Sequence, residues 1–395
     1  MGRLLGRLED LGVHGHRDAQ PDTKLCSRPS EKSEHPGGGR GRFHPIMCSL
    51  KHEPTSAMIE VLTPIWQRVL QLPSIGVEDN FFDLGGDSSS ALELFNAIAD
   101  ACGRELPPVM IYQAPTIAAL ASLLEQPSTP RFPPLVLLKA GTEGPPVFIT
   151  HGLGGTVIDF YQVVRHIQTP HPIHGMQVRG IEGVDKPFDR IEDMAQYYLD
   201  AVEELQPHGP YLLIGYSLGG LVTLEMAQRL SAKGEKVGLL AMLDAYPHIR
   251  HLPPGQRAQL ALQRIKRSAS QAFQMPVREV LSQITRPSKP RSPISGTPYQ
   301  SPVEVSLSPA MQRVRDCAYL ALKRYRHRYY NGKIRFVRAE TSTDFPDDPV
   351  AVWAKFAGKF EVETVPGDHL GIMTTHFQKL AFVLSRYIKE ASSQE

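Results

Sequence analysis

The 395-residue chain has no apolar run near the ~18 residues of a membrane-spanning helix, and its opening, MGRLLGRLEDLGVHGHRD, lacks the apolar stretch of an export signal. From these absences neither membrane insertion nor export is expected, and the expected compartment is the cytoplasm. Cysteine is scarce: Cys26, Cys48, Cys102 and Cys317 stand far apart, which fits neither a disulfide framework nor a CxxC metal site. Net charge is also nearly missing, with 43 Lys and Arg against 41 Asp and Glu. That balance speaks against nucleic acid as a partner, unless the sum hides local blocks. What the chain does have is apolar material, 41% of its residues, enough for two or three domains at about 150 residues each.

Residues 1–52 contain Gly37-Gly38-Gly39, scattered charges and no sustained apolar period, and are predicted to be a disordered leader. Five histidines, His14, His16, His35, His44 and His52, include no i,i+3 or i,i+4 pair, so no metal site is expected. From Thr55 the texture changes. Met58, Val61, Leu62, Ile65, Trp66, Val69 and Leu70 recur with helical period and form one apolar stripe. A loop, a second helical run (SSSALELFNAIADACG) and a short TIAALASLLE helix follow, so residues 53–126 are expected to form a small four-helix bundle. The polar, proline-rich residues 127–134 read as a linker.

Beyond the linker, short apolar runs alternate with helical patterns. VFIT (147–150), YLLIG (211–215), GLLAML (238–243) and IRFVRA (334–339) have the look of buried parallel strands. Met194, Tyr198, Val202 and Leu205 mark one helix face; Leu221, Leu224, Met226 and Leu230 mark a less regular one. Residues 135–392 are therefore expected to be a doubly wound, mostly parallel α/β sheet, interrupted at about 247–307 by a segment rich in Pro, Ser, Gln and Arg that suits a partly helical lid.

Two serines stand out. In Asp83-Leu84-Gly85-Gly86-Asp87-Ser88 the glycines permit an unusual backbone path, Asp87 can cap a helix, and Ser88 falls at the helix N-terminus, where the dipole and free N–H groups favour a phosphate ester. In Gly215-Tyr216-Ser217-Leu218-Gly219, a G-x-S-x-G lies between an apolar strand and a helical run, the setting of a nucleophile elbow. The expected base for Ser217 is His369 in VPGDHLGIM, which follows the last strand-like run in the chain order Ser, acid, His. His151 competes, but THGLGG after VFIT suits an oxyanion loop better, with the N–H groups of Leu153 and Leu218 as donors. On position alone the acid is either Asp244, after GLLAML, or one of Asp344, Asp347 and Asp348, after IRFVRA.

The stretch DNFFDLGGDSSSALEL, with the Trp66 helix before it and ELPPVMIYQAPTIAALASLLE after it, resembles carrier domains of nonribosomal peptide synthetases over residues 54–125. The resemblance implies that Ser88 receives a covalent 4′-phosphopantetheine arm, whose thiol holds an acyl or peptidyl group as a thioester. Ser89 departs from it, because such domains usually carry an apolar residue there. PPVFITHGLGG, GPYLLIGYSLGGLVTLEMAQRL, LLAMLDAYP and VPGDHLGIM resemble type I thioesterase domains of peptide and polyketide synthases, α/β-hydrolases, across residues 135–390 outside the lid. This second resemblance implies that the acid is Asp244. Together they imply a free-standing carrier–thioesterase didomain, served by a phosphopantetheinyl transferase and by upstream synthase modules in trans. Release would be hydrolytic; a cyclase or acyl transferase using the same three residues, or a docking module with an inactive hydrolase fold, are the alternatives.

The near-zero net charge is a cancellation. Residues 53–126 hold ten acidic and two basic residues, and residues 246–340 hold eighteen basic and four acidic ones. The basic block is expected either to be solvated helix and lid surface or to steer the acidic carrier towards the active site.

Overall fold

The computed structural model describes residues 55–127, 131–262, 308–341, 345–346 and 348–393. The expected leader, with Cys26, Cys48 and its five histidines, the greater part of the expected lid, and Asp344 and Asp347 all lie outside the described residues.

The N-terminal region is built from α1 (Ser56–Leu70), α2 (Ser88–Cys102), a 3₁₀ turn at Pro108–Tyr112 and α3 (Ile117–Leu124). Leu62, Ile65, Trp66 and Val69 of α1 are buried against Phe81, Leu94, Phe95 and Ile98. Val61, placed in the apolar stripe by sequence, is instead 41% exposed. The fourth helix of the expected bundle is only this five-residue 3₁₀ turn, with Pro107 extended at its cap and Pro108 at its first position. Among the described residues no helix is long and apolar enough to cross a membrane.

The C-terminal region is a seven-stranded sheet in the order β1-β3-β2-β4-β5-β6-β7. Its strands are β1 (Leu135–Lys139), β2 (Val147–Thr150), β3 (Ile173–Met176), β4 (Tyr211–Tyr216), β5 (Val237–Leu243), β6 (Tyr330–Ala339) and β7 (Ala357–Val365). All neighbours pair in parallel except β1 with β3. Of the connecting helices, α4 (Tyr161–His166), α5 (Ile191–Leu205) and α6 (Leu218–Ala232) come before the basic α7 (Pro309–Arg324). The short α8 (Pro349–Trp353) and α9 (Gly371–Thr374) and the long α10 (Phe377–Ser392) complete the chain. Residues Leu218–Ala227 of α6 are buried on every side, which is why its apolar pattern shows no clean stripe. Met194, Tyr198 and Val202 of α5 are buried as expected, whereas Leu205, at the helix end, is 47% exposed.

Strand β2 has β3 on one side and β4 on the other, so the strand order reverses there. In an open α/β sheet, the crevice beyond the carboxyl ends of the strands at such a reversal is the natural ligand site. Thr150 ends β2 and pairs with Gly215, two residues before Ser217.

Candidate active site

Ser217 is the cap residue of α6 and adopts φ 55, ψ −120, a conformation an L-residue rarely holds. The two flanking glycines make the turn possible. A Cβ at Gly215 would lie 2.3 Å from the Gly219 carbonyl oxygen, and one at Gly219 would lie 2.4 Å from the carbonyl oxygens of both Thr150 and His151. The tight strand-to-helix turn is thus locked against the end of β2, and Ser217 stands over the sheet edge.

Ser217 Oγ lies 3.1 Å from His369 Nε2, and His369 Nδ1 lies 2.7 Å from Asp244 Oδ2. A carboxylate only accepts, so Nδ1 carries the hydrogen and Nε2 is left to accept from the serine hydroxyl. His369 is 8% exposed and Asp244 3%. Asp244 follows β5 with φ 46; its N–H donates to the Val337 carbonyl at 2.7 Å and its Oδ1 accepts from the Ala339 N–H at 3.1 Å. Strand β6 therefore fixes the carboxylate from below. The loop bearing His369 turns at Gly367 (φ +95), whose carbonyl accepts from the Thr341 N–H at 2.9 Å.

The structure brings Ser217, His369 and Asp244 together. Asp348 caps α8, accepting from the N–H groups of Val350 and Ala351, and so has a local structural task. His151 is not placed as a base for Ser217. It is 1% exposed, its Nδ1 donates to the Gly152 carbonyl at 2.7 Å, and its Nε2 faces the Tyr198 hydroxyl at 2.7 Å. Burial lowers its pKa to about 4, so the ring stays neutral.

The loop after β2 touches the serine turn, because a Cβ at Gly152 would come within 3.4 Å of Ser217 Cβ. Leu153 follows in that loop and is half-buried. Leu218 is the first residue of α6, so its N–H is one of those a helix start leaves without an intrahelical partner.

Sequence reasoning missed the aromatic frame around His369. The Tyr216 ring stacks on the imidazole at 4.8 Å and 22°, and the Tyr216 hydroxyl donates to the His369 carbonyl at 2.8 Å. Phe345 lies on the imidazole at 4.9 Å and itself stacks on Tyr246. Tyr216 could have been suspected as the second position of the G-x-S-x-G; Phe345 carries no such signal.

The second serine, Ser88, is the first residue of the 15-residue α2. Asp87 caps that helix through a reciprocal pair: its carboxylate accepts from the Ser90 N–H at 2.8 Å, and its own N–H donates to Ser90 Oγ at 2.7 Å. Gly86 has no room for a side chain, since a Cβ would lie 2.3 Å from the Phe81 ring. The turn before Ser88 is therefore anchored to the N-terminal core. A capped helix start with Ser88 as its first residue fits a phosphate ester there.

Comparison with known proteins agrees with both parts. The family model described as a thioesterase domain matches residues 145–387, over half of the chain, and the one described as a phosphopantetheine attachment site matches residues 60–124. The dimodular nonribosomal peptide synthase of Bacillus subtilis (strain 168) is 39% identical over 214 residues, covering 53% of this chain and 9% of that protein. Malpibaldin synthetase of Mortierella alpina is 35% identical over 212 residues, covering 52% of this chain and 4% of that protein. Among solved structures, a holo four-domain nonribosomal peptide synthetase bound to AMP and glycine superposes with a TM-score of 0.52 at 20% identity, over 89% of this chain and 27% of that one. The last likeness speaks to the fold alone. The chain spans less than a tenth of the length of these two curated relatives.

Proposed function

The chain belongs to the thioesterase domain family and carries a phosphopantetheine attachment site ahead of that domain, and from this premise we propose that it releases an acyl or peptidyl group from a thioester by hydrolysis through an ester on Ser217. The observation that carries the reading is the hydrogen-bonded series from Ser217 Oγ through His369 to Asp244.

In the first half-reaction His369 Nε2 takes the Ser217 proton as Oγ forms a bond to the thioester carbonyl carbon. The carbonyl electron pair moves to its oxygen, and the N–H groups of Leu153 and Leu218 donate to that oxyanion. Asp244 keeps the imidazole in its tautomer and stabilises the imidazolium. The C–S bond then breaks, and His369 returns the proton to the departing sulfur. In the second half, His369 takes a proton from water, the hydroxide displaces the acyl group from Oγ, and Ser217 recovers its hydrogen. Tyr216 and Phe345 hold the imidazole plane through both steps.

Ser88 is the attachment point for 4′-phosphopantetheine, whose phosphodiester would lie at the positive end of α2, while Asp87 caps the helix by accepting from the Ser90 N–H. When bound, that group supplies a thiol on which the substrate travels as a thioester. A phosphopantetheinyl transferase installs it, and synthase modules supply the acyl or peptidyl chain.

The test has two arms. A phosphopantetheinyl transferase and coenzyme A should add one arm to the wild type by intact mass, and none to Ser88→Ala. With a small acyl N-acetylcysteamine thioester, wild type and Ser88→Ala should both release thiol, while Ser217→Ala should lose at least about 10³-fold. Full activity in Ser217→Ala would move the nucleophile elsewhere, and a cyclic product in place of the free acid would change the reaction class.

A further inference from the structure

The Asn80-Phe81-Phe82-Asp83 segment ahead of Ser88 sends its two aromatic rings to different neighbours. Phe81 is fully buried and meets Trp66 edge-on at 5.3 Å, which makes it part of the N-terminal core. Phe82 is half-buried and stacks on Tyr161, the first residue of α4 in the hydrolase region, at 4.3 Å and 21°. Tyr112, from the 3₁₀ turn of the N-terminal region, lies against the same Phe82 ring at 5.1 Å. Arg165, one turn along α4, donates to the Tyr161 hydroxyl at 3.2 Å and so holds that ring from the hydrolase side.

The contact leads directly to the reacting groups. Phe160, next to Tyr161, is buried and meets Tyr216 edge-on at 6.4 Å. Tyr216 precedes Ser217 and stacks on His369. At the other end, Phe82 stands six residues before Ser88, and the turn between them is fixed by the fit of Gly86 against Phe81. One aromatic series therefore joins the segment that leads to the arm-bearing helix start with the frame of the Ser217 turn. The side chain that makes the crossing, Phe82, also packs on the N-terminal core, meeting Phe81 edge-on at 5.5 Å, but it is only half-buried there.

We propose that the Phe82–Tyr161 stack is the docking contact through which this chain's own carrier region presents its thioester to Ser217. Phe82 and Tyr161 are then positioning residues for carrier-bound substrate and do nothing for a free thioester. The inference rests on the function proposed above. It also gives the acidic N-terminal region an aromatic point of attachment. Offset aromatic pairs are worth enough to change a docked population about threefold to tenfold. A contact of that size fits a carrier that must also leave to be loaded.

The experiment compares two substrates on the same full-length variants. Wild type, Tyr161→Ala, Tyr161→Phe and Phe82→Ala are converted to the holo form, checked by intact mass, and loaded with one acyl group. Single-turnover release from the arm is then set beside kcat/KM for the matching N-acetylcysteamine thioester. Tyr161→Ala and Phe82→Ala should slow release from the arm about threefold to tenfold while the free thioester reacts within about twofold of wild type, and Tyr161→Phe should retain both rates. The free-substrate rate also reports that the hydrolase region of each variant is folded. Unchanged or faster release from the arm in Tyr161→Ala would overturn the proposal. So would an equal loss on both substrates, which would place the effect within the hydrolase itself. A wild type inactive on both substrates would remove the thioesterase reading and the docking contact with it.

Discussion

Ser88 and Ser217 each stand at the start of a 15-residue helix, and the two starts are built in opposite ways. At α2 a separate residue does the capping: Asp87 is extended at φ −136 and exchanges hydrogen bonds with Ser90, and Ser88 simply follows as the first helical residue. At α6 the serine is itself the cap, at φ 55, held by the close fit of Gly215 and Gly219 against backbone oxygens. Such a conformation costs about 1–3 kcal/mol and persists only where its surroundings enforce it. On the proposed function the difference has a use: a serine that only receives an arm can rest on a relaxed helix start, whereas one that attacks a carbonyl beside an imidazole is forced into place by tertiary structure.

This contrast can be broken at several points. The largest effect is expected at the acid. Asp244→Asn should lower kcat for a free acyl thioester about 10³- to 10⁴-fold, because the amide favours the wrong imidazole tautomer. Asp348→Asn, which keeps a capping side chain on α8, should leave kcat unchanged; comparable losses in steady-state thiol release would mean that Asp244 is not the partner of His369. Next come the glycines. Gly219→Ala drives a Cβ to 2.4 Å from two carbonyl oxygens and should destabilise the hydrolase region by more than about 3 kcal/mol in urea unfolding. Gly85→Ala, at φ +94 with nothing within 4 Å of its new Cβ, should cost only about 1–2 kcal/mol. Equal costs would erase the distinction between the strained and the relaxed turn.

A smaller effect separates the two regions by pH. Burial holds His151 and His248 down to about 4 and His327 down to about 3, while residues 53–126 contain no histidine. The unfolded chain takes up these protons near pH 6.5, and the folded hydrolase region takes them up only well below that. The stability they contribute is therefore fully present above about pH 6.5 and declines as pH falls towards 4. Amide hydrogen exchange between pH 7 and pH 4.5 should show protection falling in β4 to β6 before α1 to α3. The reverse order would remove these histidines from the account.

The sequence was legible where a local rule was enough. VFIT, YLLIG, GLLAML and IRFVRA are strands because apolar runs between turn signals have few other uses, and Gly-Tyr-Ser-Leu-Gly announces its turn by its glycines. Strand β3 was not read from sequence because Ile173-His174-Gly175-Met176 has neither an unbroken apolar run nor alternation. Gly175 is there for packing: a Cβ would lie 2.9 Å from Leu138 and Val157. The pairing of His151 with Tyr198 and the faces of Tyr216 and Phe345 on His369 depend on residues distant in the chain, and no spacing encodes them. The basic block was legible as composition but not in its use. Arg324 pairs with Asp189, Arg328 with the buried Glu225 at 2.9 Å, and Lys333 with Glu361 at 2.7 Å, so these cations serve the hydrolase fold. The contact with the N-terminal region that stands out is the aromatic stack of Phe82 on Tyr161.

The central claim is that a group carried on Ser88 leaves through Ser217 of the same protein. Its most direct measurement follows the acyl-loaded holo protein by intact mass through a single turnover, with wild type and Ser217→Ala side by side. The account predicts that the wild type returns to the unacylated holo mass as free acid appears, while Ser217→Ala keeps its acyl group on the arm over the same interval. Release from Ser217→Ala at the wild-type rate would contradict it.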